Sequence, residues 1–266
     1  MGKKNRYAEL IEAIFHEQYR EGLEGFEFVR EDIERFAHRL RIKLPKNLGD
    51  LIYSFRYRTP LPDSIKKTCS AGKQWLILPA GRSRYRFQLT GIVEITPNPN
   101  LAQTKLPDAT PGIISSYALG DEQALLAKLR YNRLIDIFTR VTCYSLQNHL
   151  RTAIAGIGQV ETDEIYVGLD RNGSHFVFPV QAKGGKDRLS AVQIQQDISM
   201  CSHKFAGLIC RPIAAQFLSQ DVIALFELSD TEDGIRVVCE KHYKLVPPDQ
   251  ITDADLQNYS RLRTEN

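Results

Sequence analysis

The sequence predicts an α/β chain, α+β over its whole length, in which a mixed central sheet flanked by helices follows a small helical unit closed by a β-hairpin. Three observations lead there. Apolar residues recur at helical spacing three times before residue 60, and again over 121–140 and 190–200. Runs such as Gln74-Trp75-Leu76-Ile77-Leu78 and Phe176-Val177-Phe178-Pro179-Val180 are short, aromatic or β-branched, and bounded by turn residues, as strands are. The two kinds of segment alternate through the second half, which favours helices packed on a sheet.

In chain order, Leu10, Ile11, Ile14 and Phe15 form the stripe of a first helix over 7–19, ended by Gly22 and Gly25. Arg30-Glu31-Asp32-Ile33 opens a second, with Ile33, Phe36, Ala37 and Leu40 inward and Pro45 closing it. Asn47 is the N-cap of a third, which turns Leu48, Leu51, Ile52 and Phe55 to the core and Tyr53, Arg56, Tyr57 and Arg58 to the other face. Strands at 74–78 and 85–89 follow, around the turn 79–83. Three helices and a hairpin over residues 1–90 resemble the winged-helix family. The resemblance implies DNA binding, with Arg56 and Arg58 on the helix that enters the major groove and Arg82, Arg84 and Arg86 on or near the wing. Arginines at such positions also serve simply as solvated charge, and three-helix units also act as packing modules.

Residues 91–120 are rich in proline and turn residues (Thr96-Pro97-Asn98-Pro99, Pro107-Asp108-Ala109-Thr110-Pro111) and read as a linker or long loop. A domain over 121–266 then begins with a helix at 121–140, whose core residues are Leu125, Leu129, Leu134, Ile135 and Phe138. An apolar segment at 143–150 leads to strands at 157–169 and 175–183 and a helix at 190–200. An apolar run at 205–213 and strands at 222–228 and 237–243 complete it.

The chain has 266 residues, 42% hydrophobic and 25% charged, which is ordinary for a folded globular protein of one large or two modest domains. A net charge of +3 leaves any nucleic-acid surface to local clustering. Five widely spaced cysteines without a CxxC make a poor disulfide framework and a poor zinc site. The basic start runs into an amphipathic helix, and no stretch reaches the ~20 apolar residues of a membrane span, so a cytoplasmic protein is expected.

The chemistry is concentrated in Glu161-Thr162-Asp163-Glu164-Ile165-Tyr166-Val167-Gly168 and, beyond Asn172-Gly173, Pro179-Val180-Gln181-Ala182-Lys183. Acids on one strand facing Gln-x-Lys on the next can supply oxygen ligands to Mg²⁺ and a cation for a phosphate under attack. Which acid faces the pair depends on the turn. A two-residue type I′ turn at Asn172-Gly173 sets Gln181 against Glu164 and Lys183 against Thr162. An odd loop or a one-residue bulge brings Asp163 to the face of Lys183, with Glu161 two places back. The simpler alternative is a hairpin whose charges face solvent, although polar groups at the end of so apolar a strand need partners.

These residues resemble the active-site hairpin of the PD-(D/E)XK nuclease superfamily, over about residues 120–245. The resemblance implies a metal-binding carboxylate at Asp163, a second ligand at Gln181, a catalytic lysine at Lys183 and Mg²⁺ as cofactor. Thr162 stands where the family's proline often is. Gln181 replaces the usual acid, which calls for compensation by Glu161 or Glu164. Gly184-Gly185-Lys186-Asp187-Arg188 would bring Lys186 to a phosphate, or is a flexible basic turn; Gln193 and Gln196 on the next helix are further candidates. Pro107-Asp108 spells the literal motif but lies in loop-like surroundings far upstream. The six histidines lack HxxxH and HExxH spacing, and no P-loop or GxSxG is present.

The resulting expectation is a type II restriction endonuclease cutting double-stranded DNA to 5′-phosphate and 3′-hydroxyl ends. It would work as a homodimer or by sequential nicking, with a cognate methyltransferase as genetic partner. The rival is a winged-helix regulator with an inactive nuclease-like domain; a junction or repair nuclease is the third reading.

Overall fold

The structure, a computed structural model, describes residues 6–57, 59–91, 95–117, 121–155, 157–184, 189–231 and 234–262. The chain divides into two compact units. The first comprises 1–93 with 152–160 and 231–234, and the second 94–151, 161–230 and 235–266.

The first unit carries α1 (Arg6–Gln18), β1 (Gly25–Val29), α2 (Arg30–Arg39), α3 (Leu48–Tyr57), α4 (Asp63–Lys66), β2 (Lys73–Gly81) and β3 (Arg84–Gly91). Its three strands lie in the order β1-β3-β2, antiparallel throughout. The expected helical stripes are buried: Leu10, Ile11, Ile14 and Phe15 of α1, and Leu48, Leu51, Ile52 and Phe55 of α3. Asn47 caps α3, its Oδ1 accepting the Gly49 N–H at 3.0 Å. Phe15 lies at the centre, its ring 5.0–5.3 Å from those of Tyr19, Phe26, Trp75 and Phe87. Full burial of each such side chain contributes about 1.5–3 kcal/mol.

Three details differ from the expected order, the first being the short helix α4, which was not expected between α3 and the hairpin. Strand β1 occupies a stretch that carried no assignment, too short to show an alternation outside its partner. Phe26 and Phe28 pack on Phe87 while Glu27 faces the other way, to Arg84 and Arg86. Helix α2 ends ahead of Pro45. Arg41 takes a left-handed φ of 54°, and Leu40, expected on the buried stripe, is exposed.

The second unit opens with β4 (Gln103–Pro107) and α5 (Gly112–Tyr117), followed by α6 (Asp121–Tyr131), α7 (Leu134–Thr139), β5 (Thr142–Ile154), β6 (Gly158–Leu169), β7 (His175–Lys183) and α8 (Ala191–Lys204), the end of β5 and the start of β6 over 152–160 counting with the first unit. Then come β8 (Ile209–Cys210), β9 (Ile213–Phe217), β10 (Val222–Thr231), β11 (Gly234–Val246) and α9 (Asp253–Leu262). The sheet order is β4-β11-β10-β9-β7-β6-β5, with β8 beside β7. The sheet is mixed: β6 and β7 are antiparallel, β7 and β9 parallel across the α8 crossover, and β4 parallel to β11. This is the mixed α/β architecture that the sequence predicts.

The stretch expected as a linker thus supplies a strand to the sheet, because Thr104 to Leu106 pair with Tyr243 to Leu245. Its turn residues are also tied down. The side chain of Asn132 accepts from Ala109 N (2.7 Å) and donates to Thr110 Oγ1 (2.8 Å) and Lys128 O (3.0 Å). The same residue ends α6, and Arg133 at φ 51° breaks the expected long helix in two.

Strand β7 is central, as its apolar run implies. Phe176, Phe178, Val180 and Ala182 share one core with Leu125, Leu129, Leu134 and Ile135 of α6 and α7. The alternate residues therefore face the side covered by α8. Gly168 is fixed by close approach: a Cβ there would lie 2.7 Å from Val141 Cγ1 and 3.0 Å from Thr142 O. Among the described residues no helix is long and apolar enough to cross a membrane.

Candidate active site

The β6–β7 register decides what faces what. Pairs run from Leu169↔His175 to Glu164↔Val180, joined by residues 170–174. Asn172-Gly173 therefore does not form a two-residue hairpin. The Asp170 carboxylate organises the longer loop, accepting the N–H groups of Asn172 (2.8 Å) and Ser174 (2.9 Å), with Gly173 at φ 80°. Glu164 lies opposite Val180, so the pairing of Glu164 with Gln181 that a type I′ turn requires does not occur.

Beyond that pair the strand changes face. Thr162 and Glu164, two residues apart, should point the same way. Instead Glu164 reaches Arg130 of α6, while Thr162 reaches Asp197 of α8 on the other side. The switch falls on Asp163, next to the last regular pair Glu164↔Val180, and is a local irregularity of the bulge kind. Asp163 is left free to turn its carboxylate onto the neighbouring strand, where Oδ2 accepts the Ala182 N–H at 2.8 Å.

Around Asp163 stand Lys183, Glu122 and His149, close enough for their charges to act on it. Lys183, the last residue of β7, places Nζ 3.2 Å from Oε1 of Glu122 in the first turn of α6. Burial holds the Asp163 carboxyl above the usual carboxylate range, with Glu122 pushing the same way. The Ala182 N–H, Lys183 and His149 pull it down without cancelling the cost of burial. His149 sits at φ 47°, with Nε2 2.9 Å from Gln123 Nε2.

Gln181 and Lys183 leave the strand toward different partners. Gln181 is buried against α8, where Nε2 donates to Asp197 Oδ2 (2.8 Å) and to the Glu161 carbonyl (3.2 Å). Thr162 Oγ1 donates to Asp197 Oδ1 at 2.5 Å. Asp197 is wholly buried, and burial pushes its carboxyl up to about 7, against the two hydrogen bonds it accepts. The amide oxygen of Gln181 is buried and has no hydrogen-bond partner.

The other acids are engaged elsewhere. Glu164, with no exposed surface, accepts from Arg130 Nε (3.1 Å) and Nη2 (2.9 Å) and from Ser145 Oγ (2.5 Å) through one oxygen. It is the buried half of an ion pair between β6 and α6, the Arg130 side chain being 36% exposed. Glu161 pairs with Arg151 of β5 at 2.9 Å, and its contribution to Gln181 is a backbone carbonyl. Neither carboxylate is brought to Lys183.

Of the expected DNA-contact residues, Arg82 is exposed at the β2–β3 turn, between Gly81 (φ 124°) and Ser83 (φ 60°). Arg84 and Arg86 are both paired with Glu27 of β1, at 2.6 and 2.9 Å, so one carboxylate offsets part of their charge. Arg56 is half-buried, with Nε and Nη2 enclosed, instead of lying open on the face of α3. Arg58 and Lys186 lie outside the described residues. Gln196 of α8 is buried and Gln193 partly so.

Two residues join the constellation that sequence reasoning did not single out. Glu122 gave no signal beyond being an acid in a first helical turn. Asp197 did give one: Ile194, Asp197 and Cys201 fall on a single buried stripe, and a carboxylate on an apolar stripe demands a partner. Among the described residues no three His, Cys, Asp or Glu side chains gather as a metal cluster. Oxygen donors are nonetheless present in Asp163, Glu122 and the unpartnered oxygen of Gln181. Mg²⁺ is commonly held by only one or two carboxylates, with water and substrate phosphate completing its shell, and Asp163 and Glu122, near enough for their charges to interact, fit that number. Comparison with protein-family models, characterised proteins and solved structures finds no match to this chain.

Proposed function

We propose that this chain is a Mg²⁺-dependent, sequence-specific double-stranded DNA endonuclease of the type II restriction kind, with a PD-(D/E)XK-like site on the β6–β7 hairpin. The observation that carries the reading is the convergence of a half-buried Asp163, the ammonium of Lys183 and the carboxylate of Glu122, each from a different segment. A structural charge pair needs two such groups; a third, itself burying a carboxyl at a strand irregularity, points to chemistry.

In this reading Asp163 and Glu122 hold the cation, and the amide oxygen of Gln181 adds a neutral donor. When bound, Mg²⁺ polarises the phosphodiester and acidifies a water. Lys183 then supplies positive charge to the phosphate as it gains a fifth oxygen, or orients the attacking water. Its pairing with Glu122 keeps the long side chain in one place before substrate arrives. The Asp163 carboxyl, held high by burial, must lose its proton for the cation to bind, so binding strengthens as pH rises.

The first unit is the DNA-binding part of this proposal, a winged helix in which β1 adds a strand between α1 and α2. Arg82 at the hairpin tip is an exposed cation, and Arg84 and Arg86 on β3 are exposed but paired with Glu27. Cutting both strands requires two sites, so a homodimer acts at each target.

The rival reading, a DNA-binding regulator with an inactive site, is favoured by the absence of a three-acid cluster among the described residues. Supercoiled plasmid incubated with the protein and Mg²⁺, against EDTA, Asp163→Asn and Lys183→Ala controls, separates them. Discrete fragments made only by the wild type with Mg²⁺ support the endonuclease. Retarded but uncut DNA in every lane supports the regulator.

A further inference from the structure

The family pattern has an acid where this chain has Gln181, and the structure shows where a carboxyl group stands instead. Asp197 lies against the Gln181 amide from α8, with no exposed surface of its own. Its charge also reaches Asp163 and Lys183, so the network belongs to the same neighbourhood.

The hydrogen-bond pattern gives the arrangement a direction. Both hydrogens of the Gln181 amide are used, one on Asp197 Oδ2 and one on the Glu161 carbonyl. Asp197 is held in turn by the Thr162 hydroxyl on Oδ1. With Nε2 committed on two sides, the amide plane is fixed and Oε1 is left buried with nothing to accept from. A buried acceptor without a donor is destabilising, and a bound cation would remove that cost. An acid at position 181 would stand 2.8 Å from the Asp197 carboxylate, and the two could not both ionise. An amide is therefore the side chain compatible with Asp197 behind it.

We propose that Asp197 is a positioning residue: through Thr162 and Gln181 it locks the Gln181 amide so that its oxygen, and not its nitrogen, is offered to the divalent cation beside Asp163. The proposal rests on the metal site of the endonuclease reading. Partners of metal ligands commonly shift affinity 10–100-fold when changed.

The test is Mn²⁺ titration of the full-length protein, followed by electron paramagnetic resonance of the free ion, with no DNA present. Asp197→Asn should weaken Mn²⁺ binding about tenfold or more, because an amide facing an amide lets Gln181 turn its nitrogen outward. The swap Gln181→Glu with Asp197→Asn keeps one carboxyl and one amide in the same space. It should restore binding to the wild-type level or better, since the amide placed at position 197 can donate to one oxygen of the carboxylate placed at position 181 and leave the other for the cation. Wild-type affinity in Asp197→Asn, or a swap that binds no better than that single variant, overturns the role of Asp197. The swap also guards against a single variant that does not fold. Asp163→Asn separates the two levels: if it binds Mn²⁺ as tightly as wild type, the metal site itself is wrong and the proposal falls with it. If it loses binding while Asp197→Asn does not, the site stands and only the positioning role is lost.

Discussion

The backbone N–H of Ala182 donates to the Asp163 carboxylate at 2.8 Å, across a strand pair whose regular ladder has just ended at Glu164↔Val180. A side chain has taken the place of a ladder carbonyl. The irregularity at Asp163 thereby fixes the carboxylate beside the Gln181-Ala182-Lys183 segment and frees its neighbours Thr162 and Glu164 to serve opposite faces.

Asp163→Asn and Lys183→Ala should each lower Mg²⁺-dependent cleavage by about 10²–10³-fold or more, the scale of losing one main electrostatic contributor to a charged transition state. Circular dichroism and thermal melting of both variants should stay close to wild type. Cleavage by Lys183→Ala at the wild-type rate would rule that side chain out of the chemistry.

Glu122→Gln tests the residue that the tertiary structure adds. The Lys183–Glu122 pair is part-exposed, so its loss should cost less than about 1 kcal/mol of stability. Cleavage should fall about tenfold or more, through a looser lysine and one carboxylate fewer. Equal loss of stability and activity would instead make Glu122 a packing residue.

Glu164→Ala should behave in the opposite way. It takes the partner from the Arg130 guanidinium, which is 36% exposed and can turn to water, so the loss should be about 1.5–3 kcal/mol, the scale of hydrogen bonds to a charged group. Urea unfolding should show this loss, and Glu164→Gln, which keeps an acceptor for Arg130 and Ser145, should recover part of it. Any folded fraction should still bind Mn²⁺.

Asp197 gives stability a pH dependence with a definite sign. Its folded value is pushed up to about 7, above the ordinary 3.8, so between about pH 4 and 7 the folded state keeps a proton that the unfolded state has released. Stability therefore falls as pH rises through that window, by at most about 4 kcal/mol from this group. Urea unfolding in EDTA at pH 5, 6 and 7 should show a decline in wild type that is flatter in Asp197→Asn. Parallel curves would place the titration elsewhere.

For the first unit, Arg82→Ala should weaken binding to duplex DNA at all sequences and reduce the salt slope by about one. Glu27→Ala should tighten binding, because it releases Arg84 and Arg86 from their shared carboxylate. Fluorescence anisotropy across a salt series reads both, and an unchanged slope in Arg82→Ala would remove the hairpin tip from the interface.

Much was legible in the sequence because it is local. Helical stripes such as Leu10, Ile11, Ile14 and Phe15, the Asn47 cap, and the bounds of β7 follow from periodicity and turn chemistry that a short window contains. Strand β4 was not legible, since Gln103–Pro107 becomes a strand only by pairing with β11, whose residues are far away in sequence. The break at Asn132 was equally hidden, its side-chain partners lying at 108–110.

The candidate site divides along the same line. By itself the sequence determined that acids and a Gln-x-Lys stand on adjacent strands, since residue type and alternation require only the hairpin. Which acid meets the lysine was a question of parity. The longer loop at 170–174 and the irregularity at Asp163 leave Asp163 as the hairpin acid on which the Lys183 charge acts, Arg130 and Arg151 claim Glu164 and Glu161, and the acid in contact with Lys183 is Glu122. Only the tertiary structure could bring Glu122 from α6 to Lys183 and Asp197 from α8 to Gln181. The physical reason is that a buried polar group is defined by what surrounds it, and its surroundings are assembled by packing from segments that the chain keeps far apart.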